Sequence, residues 1–246
     1  RSEPDVGLLM DLCAYLHYAG EYEQSNRACQ AAEARADALY TKSVREQAAA
    51  YLTNDNAISF QGEDYERLFV HVIGMLNYAA LNQPQSALVE ARKLDNKTRY
   101  FKQNPEAAPT IQQEDPLGRY IAGLLYEENR DNNDALIDYK KSIQSFQSNP
   151  KISVPSALPQ DSQRVAHIHK MNEEKAELEK EFGSFNGYFP LTQDTGELII
   201  VFENGYNAYK VERNALPYHP HKSSTVNIAR VKALQTGDVV QSETVR

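Results

Sequence analysis

The first two thirds of the chain carry apolar residues at intervals of three and four, which is the spacing of amphipathic helices. Short polar turns at Gly20, at 82–84 and at 130–133 separate these segments into pairs. Two helices joined by so short a turn pack antiparallel. The pattern therefore predicts three αα-hairpins within residues 1–147, and a mainly α fold class.

Aligned on their turns, the hairpins place mostly small residues where two helices have to approach closely. Such positions are typical of tetratricopeptide repeats. The turns are spaced more widely than the ~34 residues of a regular tetratricopeptide array, so we expect an irregular array. The matching positions are Leu12–Cys13, Gly74–Met75 and Ala122–Gly123 on the first helices, and Ser25, Ala87 and Ala135 on the second helices.

The next segment, residues 148–183, is predicted to form a linker followed by a charged helix from Ser162 to Phe182. Its glutamates and lysines, such as Lys175 and Lys180, are spaced for pairing along a helix surface. A solvated helix face is the favoured interpretation of this run of charges. A coil that binds a partner is the alternative.

Residues 184–246 change to the pattern of strands and predict a small β-rich C-terminal module. We expect this β module to be incomplete without partner strands, because one hairpin is marginally stable in water. Its predicted parts are a strand from Glu197 to Glu203, a tight turn at Asn204-Gly205, a partner strand from Tyr206 to Val211, and further strands at Thr225 to Ala233 and Asp238 to Val245.

The first of these strands is apolar on both faces, with Ile200 and Phe202 on one side and Ile199 and Val201 on the other. A strand of this kind is covered on two sides. We therefore predict that one of these pairs lies at a helix–sheet or intersubunit contact. Replacing Ile200 by Asp should then destabilise folding or assembly by a few kcal/mol, on the order of a buried unpaired charge.

Charge and hydropathy argue against two classes of protein, those that bind nucleic acid and those that cross a membrane. The 26 Lys and Arg against 34 Asp and Glu give a net charge of -8, which opposes binding to nucleic acid. The best apolar stretch, Leu68 to Leu81, is interrupted by His71, Gly74 and Asn77 and is too short to cross a bilayer.

The two cysteines, Cys13 and Cys29, lie on either side of the first predicted turn. They are too few for a disulfide-rich scaffold or for a four-cysteine metal site. Two small buried apolar thiols are the favoured interpretation. A disulfide across the hairpin is the alternative, because the two side chains can face one another there.

The common catalytic motifs are absent, so the sequence predicts no enzyme, no cofactor and no metal. We interpret Glu63, Asp64 and Glu66 as acids of a first helical turn, with an acid–base cluster as the alternative. Glu90 and Arg92 are interpreted as a contact that fixes register between hairpins, with ligand binding as the alternative.

Two histidine pairs are candidates for metal binding. His167 and His169 lie two residues apart on the predicted charged helix and so point to different faces. His219 and His221 flank a proline in a loop without a nearby cysteine or an obvious acidic third ligand. Surface histidines are the favoured interpretation of both pairs.

Tyrosine is unusually frequent, with 15 residues, and most of them fall in the hairpin region. Tyrosine rings pack between helices, and they are also strong anchors in protein interfaces. The concave face of tetratricopeptide-like folds binds partner segments. The predicted partner-binding residues are Tyr18, Tyr22, Tyr78 and Tyr126 in the hairpins, and Ile200 and Phe202 in the β module.

Several motifs resemble a family of bacterial cell-envelope lipoproteins built on tetratricopeptide-like helices. They are YLTND (51–55), GEDYE (62–66), LNY (76–78) and ALVEAR (87–92), with similar segments at 116–126, 134–141 and 196–205. The resemblance implies an exported protein without established enzymatic activity, held at the inner face of the outer membrane by an acylated N-terminal cysteine. That anchor is implied by the resemblance and does not occur within the sequence.

The function expected from these observations is a non-catalytic envelope scaffold whose helical repeats bind other proteins of a multi-subunit assembly, such as the outer-membrane complex of a secretion system. The expected location is the periplasm, in association with the outer membrane. One alternative is an enzyme or enzyme activator that acts on the cell wall. Another is an envelope module that binds peptides or small molecules in a cleft between repeats.

Overall fold

The computed structural model describes residues 4–47, 60–104, 114–148, 152–185, 196–204 and 225–233. The described protein is mainly helical. Its elements in chain order are α1 (Val6–Tyr18), α2 (Tyr22–Gln47), α3 (Asp64–Ala80), α4 (Pro84–Gln103), α5 (Pro116–Glu128), α6 (Asn132–Gln147), α7 (Ala157–Ile168), α8 (Asn172–Phe182), β1 (Gly196–Asn204) and β2 (Thr225–Ala233).

The chain divides into two compact units, residues 1–154 and residues 155–246. The first unit contains the three predicted hairpins α1–α2, α3–α4 and α5–α6, which are confirmed. The first helices of successive hairpins contact one another, α1 with α3 and α3 with α5. α2 also packs on α3, and α4 on α5, so the three hairpins form one stack.

The same turn closes every hairpin. One residue in the left-handed region follows the first helix, and the next residue donates a backbone hydrogen bond to the carbonyl five residues before it, as Glu21 does to Leu16. This is the Schellman arrangement, which satisfies the last carbonyls of a helix. The left-handed residues are Gly20 (φ 78°), Asn82 (φ 56°), Arg130 (φ 65°) and Lys170 (φ 58°).

The small residues at matching positions have the packing role that the sequence predicts. Ser25, Ala87 and Ala135 are each 0% exposed. On the facing helices, a β-carbon at Gly74 would lie 3.0 Å from Cγ of Glu90, and one at Gly123 would lie 2.4 Å from the ring of Tyr139. At Gly123 the ring of Tyr139 leaves no room for a β-carbon, whereas at Gly74 a β-carbon would make a tight contact with the side chain of Glu90.

The fourth turn, at Lys170, corrects the prediction of one charged helix from Ser162 to Phe182. The segment instead forms α7 and α8, an antiparallel hairpin in the second unit. The side chain of Gln163 holds it together, because its Nε2 donates to the carbonyl of Gly183 over 2.9 Å and its Oε1 accepts from the amide of Phe185 over 3.0 Å.

The charged half of that segment is α8, in which only Leu178 is buried. Lys175 Nζ lies 3.2 Å from Oε1 of Glu179, an ion pair at the spacing of i and i+4. Within this chain, α8 therefore presents the solvated charged face that the sequence analysis favours.

In the β module, β1 and β2 pair antiparallel, with Ile200 opposite Ala229 and Asn204 opposite Thr225. The predicted tight turn beyond Asn204, the partner strand at 206–211 and the strand at 238–245 lie outside the described residues. The side chain of Ile199 is 37% exposed. The complete β module and its predicted cover stay predictions.

No helix in the described part of the chain combines the length and the hydropathy that a membrane span requires.

Candidate functional site

Three of the four predicted partner-binding tyrosines lie on α1, α2 and α3, the helices that meet where the first hairpin packs on α3. The ring of His17 contacts the rings of Tyr18 and Tyr22, with centroid distances of 5.3 Å and 5.8 Å. Tyr78, on α3, accepts a hydrogen bond on its hydroxyl from Nε2 of Gln30 over 3.2 Å. Tyr18 is 64% exposed and offers most of its ring to solvent.

Asn77 joins the three helices behind these rings. Its Oδ1 accepts from Nδ1 of His17 on α1 over 2.6 Å. Its Nδ2 donates to two groups on α2, Oγ of Ser25 at 2.8 Å and Oδ1 of Asn26 at 2.9 Å. Ser25 also donates to the carbonyl of Cys13 over 2.7 Å. Because Asn77 is fully buried and uses both ends of its amide, it fixes the position of α1 and α2 on α3.

A narrow cleft with an accessible volume of about 10 Å³ lies beside Asn26, between α2, α3 and α4. Its polar side chains are contributed by all three helices, and its floor includes Val70 and Gly74. The lining residues are Asn26, Cys29, Gln30 and Glu33 from α2, Val70, His71, Gly74 and Tyr78 from α3, and Glu90 from α4.

His71 is the central group of this cleft, 1% exposed and held between two carboxylates. Its Nδ1 donates to Oε2 of Glu90 over 2.8 Å. Its Nε2 lies 3.6 Å from Oε1 of Glu33, beyond hydrogen-bond distance, and has no hydrogen-bond partner among the described residues. The imidazole of His71 therefore bonds α3 to α4 through Glu90 and lies beside Glu33 of α2.

Lysines on α4 neutralise these acids. Lys93 Nζ lies 3.0 Å from Oε2 of Glu33 and 3.1 Å from Oε1 of Glu90. One turn further on, Lys97 Nζ lies 2.9 Å from Oδ1 of Asp37. The two acids on α2 and the two lysines on α4 are each four residues apart, so the pairs form a ladder that fixes the register of the helices.

The charges shift the pKa values of the groups around His71. Burial alone would raise the pKa of the Glu90 carboxyl, but hydrogen bonds from His71 and Lys93 outweigh it and lower that pKa. Burial alone would lower the pKa of Lys93, but Glu33 and Glu90 raise it. Both groups are therefore held in their charged forms. This is the arrangement of a structural ion cluster rather than of a general acid or base.

A second ion cluster joins α4, α5 and α6 around Arg119, which is 3% exposed. Its guanidinium donates to Asp95, to Oδ1 of Asp138 over 2.7 Å and, through Nε, to Oε2 of Glu114 over 2.8 Å. Lys141 Nζ adds a bond to Oδ1 of Asp95 over 3.1 Å.

The two acids on either side of Arg119 respond in opposite directions. Burial acts to raise the pKa of Asp95, but hydrogen bonds from Arg119 and Lys141 lower it to about 2. Burial raises the pKa of Asp138 to about 6 in spite of Arg119.

Tyr126, the fourth predicted partner-binding tyrosine, is 7% exposed on α5. Burial and the nearby Asp138 carboxylate raise the pKa of its hydroxyl. Its side chain is buried within this chain, and its role in partner binding stays a prediction. The side chains of Ile200 and Phe202 lie outside those that the structure describes.

Cys13 and Cys29 form a disulfide that joins α1 to α2, with Cα atoms 5.0 Å apart. This corrects the favoured interpretation of two free thiols in favour of its alternative. The small turn at Gly20 brings the two helices close enough for the bond. Cys29 also lines the cleft beside His71.

The remaining candidates take structural positions. The backbone N–H of Glu63, at the start of α3, donates to Oε2 of Glu66 over 2.8 Å, which is half of a capping box. Glu90 bonds His71 and Lys93, and Arg92 is exposed, so the predicted register contact has other partners. His167 lies in the last turn of α7 and His169 caps that helix.

The described residues contain no group of three His, Cys, Asp or Glu side chains placed to hold a metal ion. His219 and His221 lie outside the described residues.

Sequence reasoning missed His71 and Asn77 as site residues, although both were visible as interruptions of an apolar stretch. His71, Gly74 and Asn77 are three residues apart and therefore share one face of α3. That periodicity is the signal that could have found them.

No protein-family model matches the chain, and no curated protein matches it. Among solved structures, the chain is similar to aspartyl phosphate phosphatase F from Bacillus subtilis, with 11% sequence identity and a TM-score of 0.45. The similarity covers 74% of this chain and 40% of that protein.

Proposed function

We propose that this chain is a non-catalytic scaffold whose tetratricopeptide-like hairpins bind other proteins of a multi-subunit cell-envelope assembly, such as a secretion-system complex at the outer membrane. The observation that carries the proposal is the composition of the solvent-exposed side of α1. Leu8, Tyr15 and Tyr18 are 63%, 73% and 64% exposed, and all three are on one short helix. Apolar surface grouped in this way is typical of a protein-interaction site.

The disulfide supports an exported location. Disulfides persist in oxidising compartments such as the bacterial periplasm and are rare in the cytosol. Cys13–Cys29 is buried within the first hairpin and holds α1 on α2. The periplasmic, outer-membrane-associated location and the N-terminal lipid anchor are part of this proposal.

The non-catalytic part of the proposal rests on the chemistry of the cleft. Glu90 bonds both His71 and Lys93, and the shifted pKa values of Glu90 and Lys93 hold these two groups in their charged forms. The cleft has an accessible volume of about 10 Å³, room for about one water molecule, which is far below the range of small-molecule sites. The cleft therefore favours a structural joint over a peptide-binding or small-molecule-binding module.

The test is purification of the tagged chain from envelope membranes after crosslinking, with two variants in parallel. The double variant Leu8→Ser/Tyr15→Ser alters the exposed side of α1. Ile137→Ser, on α6, is its control because that side chain is 49% exposed and equally apolar. Wild type and the control should recover the same stoichiometric partners. A monodisperse monomer without partners in all three samples would contradict the proposal.

An enzymatic role is tested separately. We expect no turnover when the chain is incubated with peptidoglycan, alone or with envelope extract. Activity that is lost when both Glu197 and Glu203 of β1 are changed to Gln would support the cell-wall alternative instead.

A further inference from the structure

Helix α1 is apolar on the side that faces solvent as well as on the side that faces the protein. Val6, Met10 and Cys13 form its buried side. On the opposite side, Leu8, Leu12, Tyr15 and Ala19 follow one another along the helix and its C-cap; these four residues are named the α1 seam.

The α1 seam is open to solvent over its whole length. Leu8 is 63% exposed, Leu12 44% and Tyr15 73%. Tyr18, beside the seam, is 64% exposed. A helix that is apolar all round is normally buried, so the seam has the composition of a covered surface.

The spacing of the seam specifies the shape of its cover. Its residues are separated by four, three and four positions, which is the alternation of a heptad repeat. Side chains at this spacing interdigitate with a second helix that crosses at about 20°. A helix is therefore the element that fits the seam.

The charge near the seam specifies the chemistry of that helix. Residues 4–26 contain no Lys or Arg, and their exposed acids lie before α1 (Asp5), within it (Asp11), in the turn after it (Glu21) and at the start of α2 (Glu23). Lys or Arg beside the apolar residues of the incoming helix would complement this field. A second copy of α1 would place acids against acids, which is unfavourable.

We propose that the α1 seam binds an amphipathic helix of a partner protein, with apolar residues at heptad spacing and Lys or Arg beside them. This inference rests on the proposed scaffold function and names the partner chemistry of its first hairpin. Leu8, Leu12 and Tyr15 supply the apolar contact, and Asp11 contacts a basic residue of the incoming helix.

The test uses synthetic helices of about three heptads as probes, labelled for fluorescence anisotropy and titrated with the full chain. The first has Leu at the core positions and Lys beside them. The second keeps Leu but replaces Lys by Glu, and the third keeps Lys but replaces Leu by Ser. We expect the first probe to bind at least ~10-fold more tightly than either of the others, because it alone matches both surface and charge.

Substitutions in the chain locate the binding. Leu8→Ser/Tyr15→Ser should weaken binding of the Leu/Lys probe at least ~10-fold, and Asp11→Lys should reverse the preference between Lys and Glu. Ile137→Ser is the control and should leave the affinity for the Leu/Lys probe and the preference between Lys and Glu unchanged. The thermal unfolding midpoints of all variants, measured in parallel, should match that of the wild type, since every changed side chain is exposed.

Three results would overturn the inference. The first is the same affinity for all three probes, or no binding of any. The second is binding that persists in Leu8→Ser/Tyr15→Ser. The third is a dimer of the wild-type chain in sedimentation that this variant abolishes, because the seam would then bind a second copy. Failure of the inference is distinguishable from failure of the scaffold function, since envelope partners would still be recovered with the double variant if they bind elsewhere.

Discussion

The first and third hairpins have the same turn and the same antiparallel packing, yet their first helices are buried to very different extents. α5 buries nine consecutive residues, from Gly118 to Tyr126. α1 buries only Val6, Met10 and Cys13 of its 13 residues, although its sequence is the more apolar of the two. α5 packs on α3, α4 and α6, whereas α1 packs on α2 and α3. Helix α1 therefore carries more apolar surface than its described neighbours cover.

The two hairpins are also held together by different chemistry. The first has a disulfide and a chain of uncharged hydrogen bonds through Ser25 and Asn77. The third has a buried guanidinium among three carboxylates. Reduction acts on the disulfide and low pH acts on the carboxylates, so the two hairpins should lose stability under different conditions.

The largest effect is expected from Arg119→Ala. The substitution leaves Asp95, Glu114 and Asp138 without their shared cation, and loss of one partner of a buried ion pair costs about 3–5 kcal/mol. Urea unfolding should show this loss. Arg99→Ala is the matched control, because Arg99 also pairs with Asp95 but its side chain is 61% exposed, and it should cost less than about 1 kcal/mol. Equal losses in the two variants would contradict a buried cluster.

The second-largest loss of stability is expected on removal of the disulfide in the first hairpin. Replacing Cys13 and Cys29 by Ala removes a link between residues 16 positions apart, and a loop of this size predicts a loss of about 3 kcal/mol. Reduction of the wild-type protein should lower its urea midpoint to that of the double variant. Identical midpoints with and without reductant would show that the hairpin does not depend on the bond.

The third effect is a pH dependence of the ion cluster around Arg119. The pKa of Asp95 is lowered from 3.8 to about 2, so the folded state binds its proton less tightly than the unfolded chain does. Its contribution is present above about pH 4 and is lost as the pH falls through 2; it amounts to about 2 kcal/mol. Asp95→Asn should remove this part of the acid limb in urea titrations. An unchanged limb would contradict the assignment.

The smallest effect on stability is expected for a substitution in the α1 seam. A matching substitution in α5 tests the difference in burial between the two helices. Tyr15→Ser should change the free energy of unfolding by less than about 0.5 kcal/mol, because the side chain is exposed. Ile121→Ser, on α5, should cost about 2–5 kcal/mol, because that side chain is 3% exposed. A large loss with Tyr15→Ser would mean that the seam is covered within the chain.

The fold could be predicted from the sequence where local signals agree with tertiary packing. The turns at Gly20 and Asn82 were found because glycine and asparagine tolerate the left-handed conformation. The turn at Lys170 was missed because lysine gives no such signal and the surrounding charges continue a helical pattern.

The site was only partly predictable, for a different reason. Tyr18, Tyr22 and Tyr78 were chosen by residue type, and exposure alone distinguishes them from the buried Tyr126. The partners of His71 come from α2 and α4, and no local pattern brings Glu33 and Glu90 to the same imidazole.

The most direct test of the account is site-specific photo-crosslinking in cells. A photoreactive phenylalanine derivative replaces Tyr15 in the seam or, as the control, Ile137 on α6. The account predicts that the probe at Tyr15 crosslinks one envelope protein in stoichiometric yield, through a basic amphipathic helix, and that the probe at Ile137 does not. No crosslink from Tyr15, or the same products from both positions, would contradict the central claim that α1 is a protein-binding surface.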